Sequence, residues 1–302
     1  MDETFTIKTQ TSDACAYCRR VKKLTKEHIY PKFLYKKIRG RLSGFNEAAD
    51  KVTLGERLIK DVCSTCNNNV LSKLDKYGEQ YFQLNKLDHS FTNETSAEIY
   101  YEYDALLRWI LKVSYNSFRT IKFAHNPFLN LIPYILTGQQ RPKTKFVKLY
   151  IELIRGHKLT EYDRPKVAEQ FQQTGYVPCH ILAAGRLANG VGFHCRHFQI
   201  NSHRFTLFIF PYRTKALDSK RFIQIFKTQF PFTEFVNPKV SKMKLRISAR
   251  DIFEIHAGDH VPLHQRMKER EHHRKFLEGM RVSTKASCNG EGLAESEIIA
   301  LS

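Results

Sequence analysis

Acidic residues are in short supply. The chain of 302 residues sets 30 aspartates and glutamates against 49 lysines and arginines, a formal charge of +19 with a sequence pI of about 9.6. A surplus of that size concentrates polyanions at the surface and makes nucleic acid the expected partner. Also lacking are an uninterrupted apolar run of membrane-spanning length and an N-terminal basic-then-apolar segment ending in small residues. The expectation is a cytoplasmic protein with no membrane partner. Tryptophan occurs once, at Trp109, and there is no internal repeat. Seven cysteines, four of them in two C-x2-C pairs, suit a reducing compartment better than a disulfide framework. With 42% hydrophobic residues the chain can still bury a sizeable core, enough for two domains.

The first pair is Cys15 and Cys18, the second Cys63 and Cys66. Each presents two sulfurs at tetrahedral separation, so together they read as a four-thiolate zinc site. Four thiolates leave no position open for water, which makes that zinc structural. Glu27 and His28 lie between the pairs, and Asn67 directly follows the second. Hydrolysing a phosphodiester requires an activated water, neutralised phosphoryl charge and help for the departing oxygen. Glu27 and Asn67 offer hard oxygens for Mg2+ or Mn2+, and His28, with an ordinary pKa of about 6.5, offers a neutral imidazole as general base. On a regular strand Glu27 and His28 would face opposite ways. They share a site only where the backbone is irregular; otherwise Glu27 orients the site from behind.

The order of these residues resembles the HNH (ββα-metal) endonucleases, specifically their four-cysteine zinc-binding branch. The matching positions are Cys15, Cys18, Glu27, His28, Ile29, Pro31, Lys32, Val62, Cys63, Cys66, Asn67, Asn68, Leu74 and Asp75. They cover roughly the first quarter of the chain, and the resemblance makes the acid at Asp75 a further candidate metal ligand, or else a support for its helix. No clear counterpart exists for the central asparagine of the family motif, Asn46 being the nearest candidate. The resemblance implies a ββα-metal module, and the helix and strand patterns beyond it complete an expected α+β protein. A zinc-stapled ββα-metal module would occupy residues 1–90, and a larger basic α+β domain for substrate recognition or regulation residues 91–281. A loose tail would follow over 282–302. It also implies metal-dependent cleavage of DNA, with RNA less expected, leaving 5′-phosphate and 3′-hydroxyl ends. Association with the family extends this to restriction or phage defence, with a defence-system partner or a homo-oligomer. The alternative is a zinc-stabilised nucleic-acid-binding or sensor protein whose nuclease is inactive or controlled by a partner.

Arg19, Arg20, Lys22, Lys23, Lys26 and Lys32 crowd the proposed site and read as phosphate contacts. RLIKDV reads as a strand, followed by a helix that starts near the asparagines and weakens at Gly78. Thr95 and Glu98 read as a capping box for a helix to about Arg119, with Leu106, Ile110 and Val113 as its apolar stripe. After a short apolar helix or turn to Gly138, residues 147–153 alternate as a strand. Segments 179–184, 191–200, 204–212 and 221–230 read as further strands, FTLFIFP being central. SARDIFEIH and LHQRMKEREHHRKFLEGM read as closing helices. Cys179, His180, His194, Cys195 and His197 match no familiar metal spacing, and His264, His272 and His273 read as solvated. Cys288 reads as a free thiol.

Overall fold

Strand β1 (Phe5–Ile7) and strand β2 (Leu24–His28) flank the first cysteine pair. Helix α1 (Lys32–Lys37) and a hairpin of β3 (Ser43–Asn46) and β4 (Lys51–Leu54) then lead to β5 (Arg57–Cys63). The RLIKDV segment is thus a strand, with Leu58, Ile59, Val62 and Cys63 buried. It is the middle of a three-stranded sheet, antiparallel to β2 and parallel to β1. The computed structural model describes residues 5–7, 13–37, 43–46, 51–54, 56–120, 126–161, 173, 176–177, 182–190, 193–212 and 214–251. Cys179, His180, His264, His272, His273, Cys288 and the tail lie outside the described residues, as does most of the expected closing helical region.

From Cys63 the chain runs into a π-helical stretch, Thr65–Leu71, and on into α2 (Ser72–Leu84). The Ser72 N–H reaches the Asn67 carbonyl five residues back, the wide-turn bond of a π-helix. The helix does not weaken at Gly78. That glycine lies flat against Trp109, and a Cβ there would sit 2.2 Å from the indole Cε2. Its role is close approach of two helices.

The expected helix from Thr95 begins later. Ser96–Tyr100 form strand β6, and α3 spans Tyr103–Phe118. Glu102 caps it, its carboxylate accepting the Asp104 and Ala105 amides at 3.1 and 2.6 Å. A strand partner far along the chain, β14 (Lys242–Asp251), claims the residues that local capping logic gave to the helix. Helix α4 (Ile132–Thr137) follows and ends at Gly138, whose φ of 74° closes it in the left-handed conformation.

The larger sheet contains β7 (Val147–Arg155), β10 (Leu182–Gly190), β11 (Phe193–Ile200) and β12 (His203–Ile209). The short β8 (His157–Lys158) and β9 (Tyr176–Val177) pair apart from it. Its order is β10-β11-β12-β7-β14-β6, with β13 (Glu234–Phe235) also on β7. Strand β12 is interior, as its apolar run requires: Phe205 and Leu207 face the α3 side, and Phe208 the opposite side. Residues 221–230 are not a strand. They belong to α5 (Ala216–Gln229), where Phe222 and Phe226, with Phe230 just beyond, give the four-residue spacing of a helical stripe. SARD closes the sheet as the end of β14 rather than opening a helix.

The architecture is therefore mixed α+β, with a cysteine cluster near the N-terminus. Cys15, Ile29, Leu74 and Tyr81 belong to one contiguous cluster with Trp109, Phe198 and Phe205. Among the described residues no helix is long and apolar enough to cross a membrane.

Candidate metal centre and hydrolytic site

The first cysteine pair sits in a tight turn. Arg19 N–H donates to the Cys15 carbonyl (2.9 Å), Cys15 N–H to the Arg20 carbonyl (3.0 Å), and Ala14 pairs with Val21 across the turn. Arg19 adopts a left-handed φ of 60° to close it. The second pair spans the end of β5 and the first π-helical turn. All four Sγ atoms lie within 4.8 Å of one another, with Cys18 and Cys63 at 3.7 Å and the Cys63 N–H donating to Cys15 Sγ at 3.3 Å.

Burial pushes the Cys15 and Cys66 thiols up. At Cys63 burial also opposes ionisation, yet the Cys66 N–H and the neighbouring thiols bring it down to about 7. Four thiolates this close cannot all ionise unless a cation screens them, so the donor set fits one tetrahedral zinc. Among the described residues it is the only group of three or more His, Cys, Asp or Glu close enough to hold a metal.

Strand β2 is irregular between Thr25 and Lys26. Asn67 clamps that point, its Nδ2 donating to Thr25 Oγ1 (3.0 Å) and to the Lys26 carbonyl (2.9 Å). Thr25 Oγ1 in turn donates to the Val62 carbonyl at 2.8 Å. Asn67 thereby ties the helix to the strand that carries His28. Past Lys26 the pairing is regular, and Glu27 and His28 face opposite ways, as strand geometry demands. The irregularity comes too early to bring them onto one face.

Glu27 turns inward to α3. Its Oε1 lies 2.7 Å from Lys112 Nζ and accepts from Asn116 Nδ2 at 3.2 Å. Asp75 comes from α2 to the same lysine, its two oxygens 2.7 and 2.6 Å from Nζ. Burial alone would depress Lys112, but the Asp75 and Glu27 carboxylates hold it above its usual range, as the ammonium. The structure thus places Glu27 and Asp75 together but apart from Asn67, around a lysine.

Asn116 is the hub of this region. Its Nδ2 also donates to the His28 carbonyl at 2.9 Å, while its Oδ1 accepts from Tyr17 Oη at 2.7 Å and Arg119 Nη2 at 2.6 Å. Arg119 continues to Asp61 at 2.7 Å and packs over the Tyr17 and Tyr115 rings. One buried amide therefore joins the cysteine turn, the His28 strand and α3. Lys112, Asn116 and Arg119 were not singled out from the sequence. Their signal is polar residues at helical spacing on an otherwise apolar helix.

His28 lies on the outer side, about a quarter exposed, with Nε2 2.9 Å from Glu56 Oε2. Glu56, just before β5, is a fourth residue that the sequence did not single out. Lys26, two residues earlier, shares the His28 face and stands directly opposite Lys60 on β5, both exposed. Like charges so paired repel unless an anion lies over them. Arg19, Arg20, Lys22, Lys23 and Lys32 are exposed as well. Asn46 ends β3 opposite Lys51, in the separate hairpin. Along β11 His194 faces away from Cys195 and His197, which share a face, with Cys195 buried in the cluster beneath α5.

Comparison with protein-family models, with curated proteins and with solved structures finds no match, so the functional reading rests on these residues and their geometry.

Proposed function

We propose that the chain hydrolyses phosphodiester bonds in DNA in the manner of an HNH endonuclease, with His28 as general base. One observation carries this reading. His28 shares the exposed face of β2 and β5 with the Lys26–Lys60 pair, while Glu56 engages its Nε2. The carboxylate favours a proton on Nε2, which leaves the Nδ1 lone pair to accept a proton from water. Lys26, Lys60 and the basic turn around Arg19 and Arg20 would hold the phosphates on either side of the scissile bond. The water gives a proton to Nδ1 as its oxygen bonds phosphorus. The P–O3′ bond breaks, the departing 3′ oxygen takes a proton from solvent, and the β2–β5–α2 frame keeps the imidazole in place. Zinc on the four cysteines would supply rigidity to that frame.

The Mg2+ or Mn2+ implied by the family resemblance would neutralise phosphoryl charge when bound. Glu27 and Asp75 do not fit that ion as ligands here, because Lys112 engages both. The test is incubation of supercoiled plasmid with zinc-loaded protein in Mg2+, Mn2+ or chelator, wild type beside His28→Ala. Nicked or linear product that disappears in His28→Ala supports the reading. Plasmid that shifts on a gel but is never cut favours a zinc-stabilised binding module instead.

A further inference from the structure

Two carboxylates facing each other in a protein interior ordinarily await a divalent cation. Here the space between them is filled. Lys112 Nζ meets Glu27 Oε1 at 2.7 Å and the Asp75 oxygens at 2.7 and 2.6 Å. An ammonium has three N–H donors, and three oxygens receive them. The lysine reaches this point from a helix that cannot easily retract. Trp109, one turn earlier, is wholly buried, and Asn116, one turn later, is fixed by four hydrogen bonds. Lys112 itself has no exposed surface.

We infer that Lys112 is the resident cation of the Glu27–Asp75 pair: its ammonium, rather than a divalent metal, neutralises these carboxylates. A divalent ion bound to both would need their oxygens at about 2.0–2.6 Å from its own centre, which is where the nitrogen stands. The two cations exclude each other. Expelling the ammonium would strand a buried charge, a penalty that metal binding would have to exceed. The Asp75 side chain is 26% exposed, so solvent ions have a route to the pair once the lysine is removed. This inference holds whether or not the protein cuts DNA, because its test reads metal binding and not cleavage.

The experiment is Mn2+ titration of the zinc-loaded full chain, followed by the loss of the free Mn2+ electron paramagnetic resonance signal, with Mg2+ as competitor. Wild type, Glu27→Gln, Lys112→Ala, Lys112→Met and Lys112→Ala/Glu27→Gln are compared after circular dichroism and zinc content confirm folding. Wild type and Glu27→Gln should bind Mn2+ alike. A folded lysine variant should gain one site with Kd on the order of 10⁻⁴ M, the weak affinity expected for a pair of carboxylates. Adding Glu27→Gln should abolish it. Wild type that binds Mn2+ and loses it on Glu27→Gln overturns the inference, and this comparison survives even if both lysine variants misfold. A folded Lys112→Ala that gains no site overturns it equally.

Discussion

Gly78→Ala should destabilise the protein, against the expectation from helix propensity. Alanine in a helix interior is favoured over glycine by about 1 kcal/mol, so an unpacked site would be stabilised. Here the new Cβ would lie 2.2 Å from Trp109 Cε2 and 2.5 Å from Cζ2, against 3.4 Å or more for ordinary contact. Helices α2 and α3 would have to part by more than an ångström around a wholly buried indole. Overpacking of this kind costs about 1–3 kcal/mol, occasionally more, and should exceed the propensity gain by about 1–2 kcal/mol. At about 2–4 °C per kcal/mol for a chain of this size, Tm should fall by several degrees. The effect reaches the site as well, since Asp75 lies one turn before Gly78 and Lys112 one turn after Trp109. Urea and thermal unfolding of the zinc-loaded variant check this, with Trp109→Leu as partner in a double-mutant cycle. A Gly78→Ala protein as stable as wild type, with no coupling to Trp109, would refute the packing argument.

Other consequences can be measured alongside. His203 is wholly buried, and among the described residues neither ring nitrogen has a hydrogen-bond partner. Burial depresses its pKa to about 3, so its neutral form stabilises the fold above the ordinary 6.5 and that contribution is lost as pH falls from 6.5 towards 3. The slope is at most about 1.4 kcal/mol per pH unit, and His203→Leu should flatten that limb of a stability–pH curve. Asn116→Ala removes four hydrogen bonds and leaves Glu27, Tyr17 and Arg119 short of a partner, for a loss of about 3 kcal/mol or more by urea unfolding. A loss below about 1 kcal/mol would mean that the hub is replaceable. Cys66→Ser, or chelation, should release one zinc per chain and open the β2–β5 region to protease; elemental analysis and limited proteolysis read both.

The cysteine turn and β5 were legible because their signals are local: paired C-x2-C spacing and an apolar strand. The helix was expected to start near the asparagines, but it begins at Thr65 as a π-helical stretch, and the Asn67 amide bonds β2 instead of forming a cap. Strand β12 was legible too, since an unbroken apolar run has no solvent face to offer. The start of α3 was misread because β6 is decided by β14, more than a hundred residues away. Helix α5 was misread because its isoleucines alternate while its phenylalanines recur every four residues, and only packing beneath the sheet selects the second period. The same limit applied at the site. Sequence spacing brings Glu27, His28 and Asn67 together on paper, but strand alternation separates the first two, and Lys112 and Asn116 arrive from α3. Glu56 was invisible because nothing local relates a glutamate before one strand to a histidine at the end of another.

The most direct test is single-turnover cleavage of an end-labelled DNA duplex by zinc-loaded protein, with wild type and His28→Ala compared at equal duplex occupancy. The account predicts a 5′-phosphate product from wild type and a rate lower by about 10²-fold or more in His28→Ala, the usual contribution of a general base, with duplex affinity unchanged. Cleavage by His28→Ala at the wild-type rate would contradict it.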